Sequence, residues 1–445
     1  MADPAARFQI AFGNDTLDWD VTWISLDDDY PNLITSYTID RGRQYELDRT
    51  DVGRATVEIA DKDGVLDPTN PDGPFYGLIE PLLQAAIARR NPINNTWYTR
   101  FRGFIEECDY SFDPSQRVNR LTVSLVDLFE VLAAVEMQPG VFGDSPPTVS
   151  AGQVFFDNAN CDDRILEALG PTAGAGIPAD YYVVFSGNVD LHETVYSPGE
   201  NVLTVIQEAA DAEFPGVSNV YVDRIGRLCF HGRFAKFHPE DTSASAGPDQ
   251  WDFISWKVGD GTAVNADPVG TAHIRQFGFN RGMSKVINQA LATPVGVADT
   301  AVAAQLVTDT TSIGKYGIRG WTAQNLITRS SLQDSANDLV ETKRFASYYV
   351  DNYKNPGNRI TTLGLRSMRP GQSGATKTWE LMSKIDIADE VLVTVGSPGG
   401  GGFDSVSYFV EGVHETCSPL NDDMDDVTLT LDLSPRAYFD TDPWS

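Results

Sequence analysis

The stretch "RATVEIADKDGVLDPTNPDGPFYG" (54–77) gathers four aspartates, Asp61, Asp63, Asp67 and Asp72, around Gly64. Alternating aspartates ahead of a glycine are what a calcium loop uses. An EF-hand loop needs oxygen ligands at positions 1, 3, 5 and 12, with glycine at position 6. With Gly64 at position 6, Ile59 falls at position 1 and Asn70 at position 12. The first ligand and the closing bidentate Glu are then both missing. "DKDG" instead has the residue types of a tight turn joining two strands, with Gly64 accepting a positive φ. The three prolines of "DPTNPDGP" oppose regular pairing beyond it. The segment is expected to be a turn.

Other candidate chemistry is sparse. The four cysteines, at 108, 161, 229 and 417, and the five histidines, at 192, 231, 238, 273 and 414, are scattered. None shows the paired spacing of a zinc site, so reduced thiols packed as small apolar groups are expected. P-loop, GxSxG and HExxH patterns are missing. "GPTAGAGIPAD" offers Gly174 and Gly176, but Pro178 follows, and a connector is favoured over a phosphate cradle. "GSPGGGGFDS" separates two strand-like runs and fits a long hairpin loop. "NDDMDD" (421–426) fits a solvated turn, with a weakly held cation as the alternative. Trp19, Trp23, Trp97, Tyr98 and Phe101 could line a sugar site beside a carboxylate pair, although in alternating strands such residues more often fill a core. No catalytic, cofactor-binding or metal-ligating residue is assigned, and no cofactor is expected.

The elements around these residues are mostly strands. "RATVEIA" alternates between two faces, and "YTRFRGFIEECDYSF" and "NRLTVSLVDLFEVL" continue the pattern, joined by "DPSQRVN". "YGLIEPLLQAAIARR" suggests a brief helical turn followed by a strand, and "SLVDLFEVLAAVEM" starts as strand and ends as helix. "NCDDRILEALG" predicts a short helix with Asn160 or Asp162 as cap and Gly170 as stop. "SPGENVLTVIQEAADAEFPG" predicts the clearest helix, capped at Ser197, with Val202, Val205, Ile206, Ala209 and Ala210 on one face. "NVYVDRIGRLCFHGR" predicts two strands around an "RIGR" turn. "DTAVAAQLVTDTTSIGKYGIRGWT" is polar and is expected to be loop with short strands. A further helix is predicted over Ser331–Tyr353, and an antiparallel meander ends the chain.

At 445 residues the chain suits about three cores of ordinary size. The composition shifts divide it into 1–135, mostly strand; 136–250, an inserted α+β domain; 251–370, mixed β with the long helix; and 371–445, an antiparallel meander. The fold class is mainly β with an α+β insertion. No apolar run is long enough to span a bilayer, and the N-terminus lacks a secretory layout. A soluble protein made in the cytoplasm is expected. The formal charge is −30, from 63 acidic and 33 basic residues. That excess repels phosphate backbones and argues against a DNA-binding protein, while suiting a surface that DNA slides past.

The ordered features "GRQYEL", "GRATVEIA", "DKDGVLDPTN", a strand after "LIEP", and "FRGFIEE" resemble the minor tail proteins of long-tailed phages, especially siphovirus-type phages of actinobacterial hosts. The helix before "NVYVDRIGRLCF" and the final meander fit the same family. The resemblance implies a non-enzymatic virion protein of the tail tip, a baseplate hub with barrel-type β domains that cap or continue the tail tube, 1–135 forming the first barrel and 371–445 completing a second. It implies a homotrimer, or a hexamer if the chain is a distal tail ring. It also implies partners among distal tail ring, tape measure and tip or fibre proteins, transient passage of DNA, and a part in host attachment. Under that reading, Arg41, Arg43, Arg49, Arg54, Arg89 and Arg90 would suit subunit interfaces. The other reading is a tail enzyme or binding protein acting on cell-wall glycan.

Overall fold

The computed structural model describes residues 6–26, 30, 33–113, 118–142, 152–171, 175–237, 255–260, 270–296, 302, 305–329, 339–396, 401–421, 424–441 and 443. Seven strands form in the first 126 residues: β1 (Ala6–Ile10), β2 (Ile24–Ser25), β3 (Ile34–Gly42), β4 (Asp51–Asp61), β5 (Gln84–Arg90), β6 (Trp97–Asp113) and β7 (Val118–Val126). Six more follow residue 254: β8 (Ser255–Gly259), β9 (Ala272–Asn280), β10 (Arg359–Arg366), β11 (Glu390–Gly396), β12 (Gly402–Asn421) and β13 (Met424–Pro435). All thirteen share one sheet, in the order β2-β1-β5-β6-β7-β4-β3-β12-β11-β8-β9-β10-β13. Strand β13 also pairs with β12, so the last six strands close into a barrel with no free edge.

The alternation that predicted these strands is the alternation of burial. In β4, Ala55, Val57 and Ile59 are buried, while Arg54, Thr56 and Glu58 face out. A single hydrophobic cluster runs from Phe8, Val57 and Phe101 of the first strands to Leu363, Val391 and Leu429 of the barrel. The mainly β fold with its α+β insertion is the class expected from the sequence.

Between β7 and β8 lie helices α1 (Leu128–Ala134), α2 (Cys161–Leu169), α3 (Val202–Glu213) and α4 (Phe234–Phe237), with small sheets. Strands Asn219–Val222 and Leu228–His231 pair around the expected turn, where Gly226 has φ +90°. Between β9 and β10, α5 (Thr310–Tyr316) and α6 (Val340–Tyr353) accompany a sheet in which Gln289–Pro294 lies between Val307–Thr308 and Gly320–Leu326. Helix α7 (Ala375–Lys384) precedes β11 and buries Trp379, Leu381 and Met382.

Several details differ from expectation. Gly64 does take φ +66°, but residues 62–83 are no tight hairpin. Strand β4 pairs with β3 and β7, whereas β5 pairs with β1 and β6, so the segment crosses between non-neighbours. Helix α3 begins after Asn201 and not at Ser197, because the Asn201 side chain accepts the Thr204 N–H. The 310–316 stretch, expected as loop, is helix α5, whose cap Asp309 accepts from Ser312 N. Helix α7 has no counterpart among the predicted elements. The predicted helix 331–353 is observed from Val340, and residues 330–338 lie outside the described residues.

Candidate functional site

Strands β3 and β12 form the seam that joins the first half of the chain to the barrel, from Gly42 opposite Gly412 to Tyr37 opposite Cys417. Glycine is required at its end. Gly42 has φ +94°, and a Cβ there would lie 2.3 Å from the Glu411 carbonyl oxygen.

The buried side of the seam is built from ion pairs. Glu415 accepts from Arg100 Nε at 2.9 Å, lies 3.6 Å from Arg89 Nε, and accepts from the Tyr37 hydroxyl at 2.6 Å. The two guanidiniums also donate to the last carbonyls of α7, Arg89 to Met382 O at 2.6 Å and Arg100 to Ser383 O at 2.9 Å. A helix C-terminus favours such cations. Glu411 accepts from Arg43 Nε at 2.8 Å, with Nη2 at ion-pair distance, 2.8 Å, and also receives the Lys236 ammonium and the Ser434 hydroxyl. Burial raises the Glu411 carboxyl, but Arg43 and Lys236 overcome it and hold it at about 2. Asp386 takes Arg41 Nη1 at 2.7 Å from β3 and Arg224 N at 2.9 Å from the insertion. Three parts of the chain therefore meet on three carboxylates.

These contacts revise the expected role of the arginines. Arg41, Arg43 and Arg89 are buried and paired inside one chain, not left for a neighbouring subunit. Arg49 pairs with Asp211 and Arg54 with Glu106 at the surface, and Arg90 lies over Trp97. The aromatics divide likewise. Trp19 and Trp23 stack on Arg102 at 3.9 and 5.3 Å, Trp97 stacks on Arg7 at 4.0 Å, and Phe101 is core. Tyr98 accepts from Asn94 Nδ2.

Two aspartates of the opening stretch, Asp61 and Asp67, are occupied by backbone. Asp61 accepts from Val65 N at 2.9 Å and Leu66 N at 2.8 Å, Asp67 from Thr69 N at 2.8 Å, and Asn70 donates to Gly64 O at 2.9 Å. Among the described residues, no group of three or more His, Cys, Asp or Glu is placed to hold a metal ion. Gly174, residues 397–400 and residues 422–423 lie outside the described residues, while Asp426 is bound by Arg366. Cys161, Cys229 and Cys417 are buried and Cys108 is half-buried, and none of the four is in a disulfide. Burial raises the Cys161 and Cys229 thiols well above their usual range.

The outer side of the seam is a polar wall, which sequence reasoning did not anticipate. Thr428, Thr416, Thr38, Thr56 and Ser124 lie in register across β13, β12, β3, β4 and β7. This belt of short hydroxyls is flanked by Asp40, Glu58, Glu107 and Asp109, with Arg54 opposite Asp40 and Arg366 opposite Thr428. His414 bridges the seam, with Nδ1 2.6 Å from Asp40 and Nε2 2.7 Å from Asp432. The hydrogen bonds to the two carboxylates raise it to about 9, so it is an imidazolium at neutral pH with both nitrogens engaged. Such a wall can present itself to a passing polymer, but His414 has no nitrogen left to act as a base.

No protein-family profile and no curated protein matches the sequence. Solved structures do. The tail protein from Neisseria meningitidis MC58 superposes with a TM-score of 0.52 at 11% identity, over 98% of this chain and 99% of that one. The 43 kDa tail protein of prophage MuSo2 from Shewanella oneidensis gives a TM-score of 0.51 at 12% identity, over 98% of this chain and 100% of that one. At such identities the likeness carries the fold: this chain has the barrel-type β fold of phage tail proteins.

Proposed function

We propose that the chain is a structural subunit of a phage tail, a hub that forms a ring at the tip of a siphovirus-type tail and lets DNA pass. The observation that carries this reading is the hydroxyl belt, continuous across strands from both halves of the chain and flanked by carboxylates. The cations on this wall, Arg54, Arg366 and His414, are each held by a carboxylate, so phosphates meet short hydroxyls, acids and cations already paired, which suits the inner wall of a conduit. The full-length likeness to two tail proteins and the motif order of the first 110 residues support the same assignment. A trimer is favoured, with a hexamer as the alternative, and each subunit would bury about 2,000 Å² or more with its neighbours. Distal ring, tape measure and tip or fibre proteins are its natural partners.

Electron cryo-microscopy of the assembled particle tests this directly. Thr38, Thr56 and Thr416 should face the lumen of a ring at the tail tip. Finding that wall on the particle exterior, or buried against another protein, would refute the conduit. Replacing the three threonines with lysine should convert a freely passing ring into one that retains DNA at 50 mM salt and releases it at high salt.

A further inference from the structure

Residues 270–359 carry ten Lys and Arg against six Asp and Glu, leaving 23 against 57 in the rest of the chain. Arg275 and Arg359 lie on barrel strands β9 and β10, and the unit between them, which holds α5, α6 and their sheet, carries eight Lys and Arg against six Asp and Glu within a molecule of net charge −30. At its surface Ile318 is 66% exposed, the most exposed large apolar side chain among the described residues. Lys315 and Arg319 beside it are exposed too.

Ile318 is held there by a buried polar side chain. Asn288, fully buried, donates from Nδ2 to Gly317 O at 2.8 Å, and its Oδ1 accepts from Arg319 N at 2.7 Å. The same amide donates to Ser312 Oγ at 3.1 Å, and that hydroxyl donates to Lys354 O. The two peptides flanking Ile318 are therefore clamped from within, which orders the loop while leaving its apolar side chain in water. Exposure of apolar surface is unfavourable by about 25 cal/mol per Å², and a monomer gains nothing by fixing it. The strand that follows, Gly320–Leu326, is the edge of its sheet and has no charge or proline to close that edge.

Every copy also carries an opposite surface. Residues 151–215 hold eleven Asp and Glu, of which only Glu213 is buried, and a single Arg, Arg164, which is buried. We propose that Ile318, flanked by Lys315 and Arg319, anchors a head-to-tail contact with the acidic inserted region of a second copy of this chain. The proposal rests on the ring reading above. A contact between two different patches on identical chains closes into a ring where the rotation between neighbours divides a full turn, and otherwise runs on as an open filament. Opposite charges steer the approach, and the apolar knob supplies the desolvated centre that carries most of the affinity.

The test uses the full chain, mixed in ¹⁴N and ¹⁵N forms and joined with a zero-length carbodiimide cross-linker. Mixed-isotope cross-links are expected between Lys315 and carboxylates of residues 157–213. Ile318→Asp should weaken assembly by about 30-fold or more while leaving the thermal transition of the monomer unchanged, and Ile318→Leu should assemble normally. Equal assembly by Ile318→Asp, or mixed cross-links from Lys315 only to other regions, overturns the contact and leaves the ring reading standing. Ile318 seated on a different protein in the particle also overturns it. A wild-type chain that stays single both alone and in the particle removes the ring reading itself.

Discussion

Glu411→Gln isolates the electrostatics of the seam. The carboxylate is 1% exposed and neutralises two buried cations, Arg43 and Lys236, that come from different parts of the chain. Removing one member of a buried pair leaves an uncompensated charge, which destabilises by roughly 3–5 kcal/mol. The titration gives an independent figure. A carboxyl held at about 2 and released to 4.5 on unfolding contributes about 3 kcal/mol, at 1.36 kcal/mol per unit. Because the folded value is depressed, that stability is complete above pH 4.5 and is lost as pH falls toward 2. Denaturant or calorimetric unfolding of wild type and Glu411→Gln should therefore differ most at pH 7, with the gap narrowing steadily between pH 4.5 and 2. A difference below about 1 kcal/mol at pH 7, or a gap that does not change with pH, would refute the assignment. Adding Lys236→Met should recover part of the loss, since an apolar replacement removes the stranded charge.

Other perturbations address the remaining contacts. Gly42→Ala puts a Cβ 2.3 Å from a backbone oxygen at φ +94°; it should cost about 2–4 kcal/mol and lower the thermal midpoint. His414 is raised to about 9, so its contribution is complete below pH 6.5 and is lost as pH rises through 9. Its side chain is 40% exposed, so no more than about 1 kcal/mol is at stake, and His414→Gln should flatten the thermal midpoint between pH 6.5 and 10. Arg102 is enclosed by Trp19, Trp23 and Tyr181. Arg102→Met should lose about 1–2 kcal/mol and speed limited proteolysis near residues 13–23, read by mass spectrometry of the fragments.

How much of this the sequence carried depends on the range of the cause. Strands β4, β6 and β7 follow from local alternation, and the φ of Gly64 from turn chemistry. Helix α5 was also signalled, by Asp309 before it and Gly317 after it, but a seven-residue segment with Ile313 as its one aliphatic side chain gave too little periodicity to outweigh the surrounding loop pattern. The seam was not legible, because Arg41 and Asp386 are separated by 345 residues and Arg43 and Glu411 by 368. The clamp on Ile318 joins residues too far apart to be read locally, although the charge asymmetry of 270–359 is plain in the composition.

One sign of the seam was nevertheless local. Arg41 and Arg43 keep the parity of Tyr37 and Ile39, the buried face of β3, whereas Arg54 is out of phase with Val57 and Ile59 and stays exposed. On β12, Glu411 and Glu415 keep the parity of Val413 and Cys417 in the same way. A charge in phase with a strand's core residues must find an opposite charge inside the protein, since desolvating it alone is prohibitive. Cations in phase on one strand and carboxylates in phase on another therefore identify strands that meet. Applied to this chain, that rule pairs β3 with β12 and assigns the in-phase arginines to the interior, leaving the out-of-phase residues Thr38, Thr56 and Thr416 for the wall.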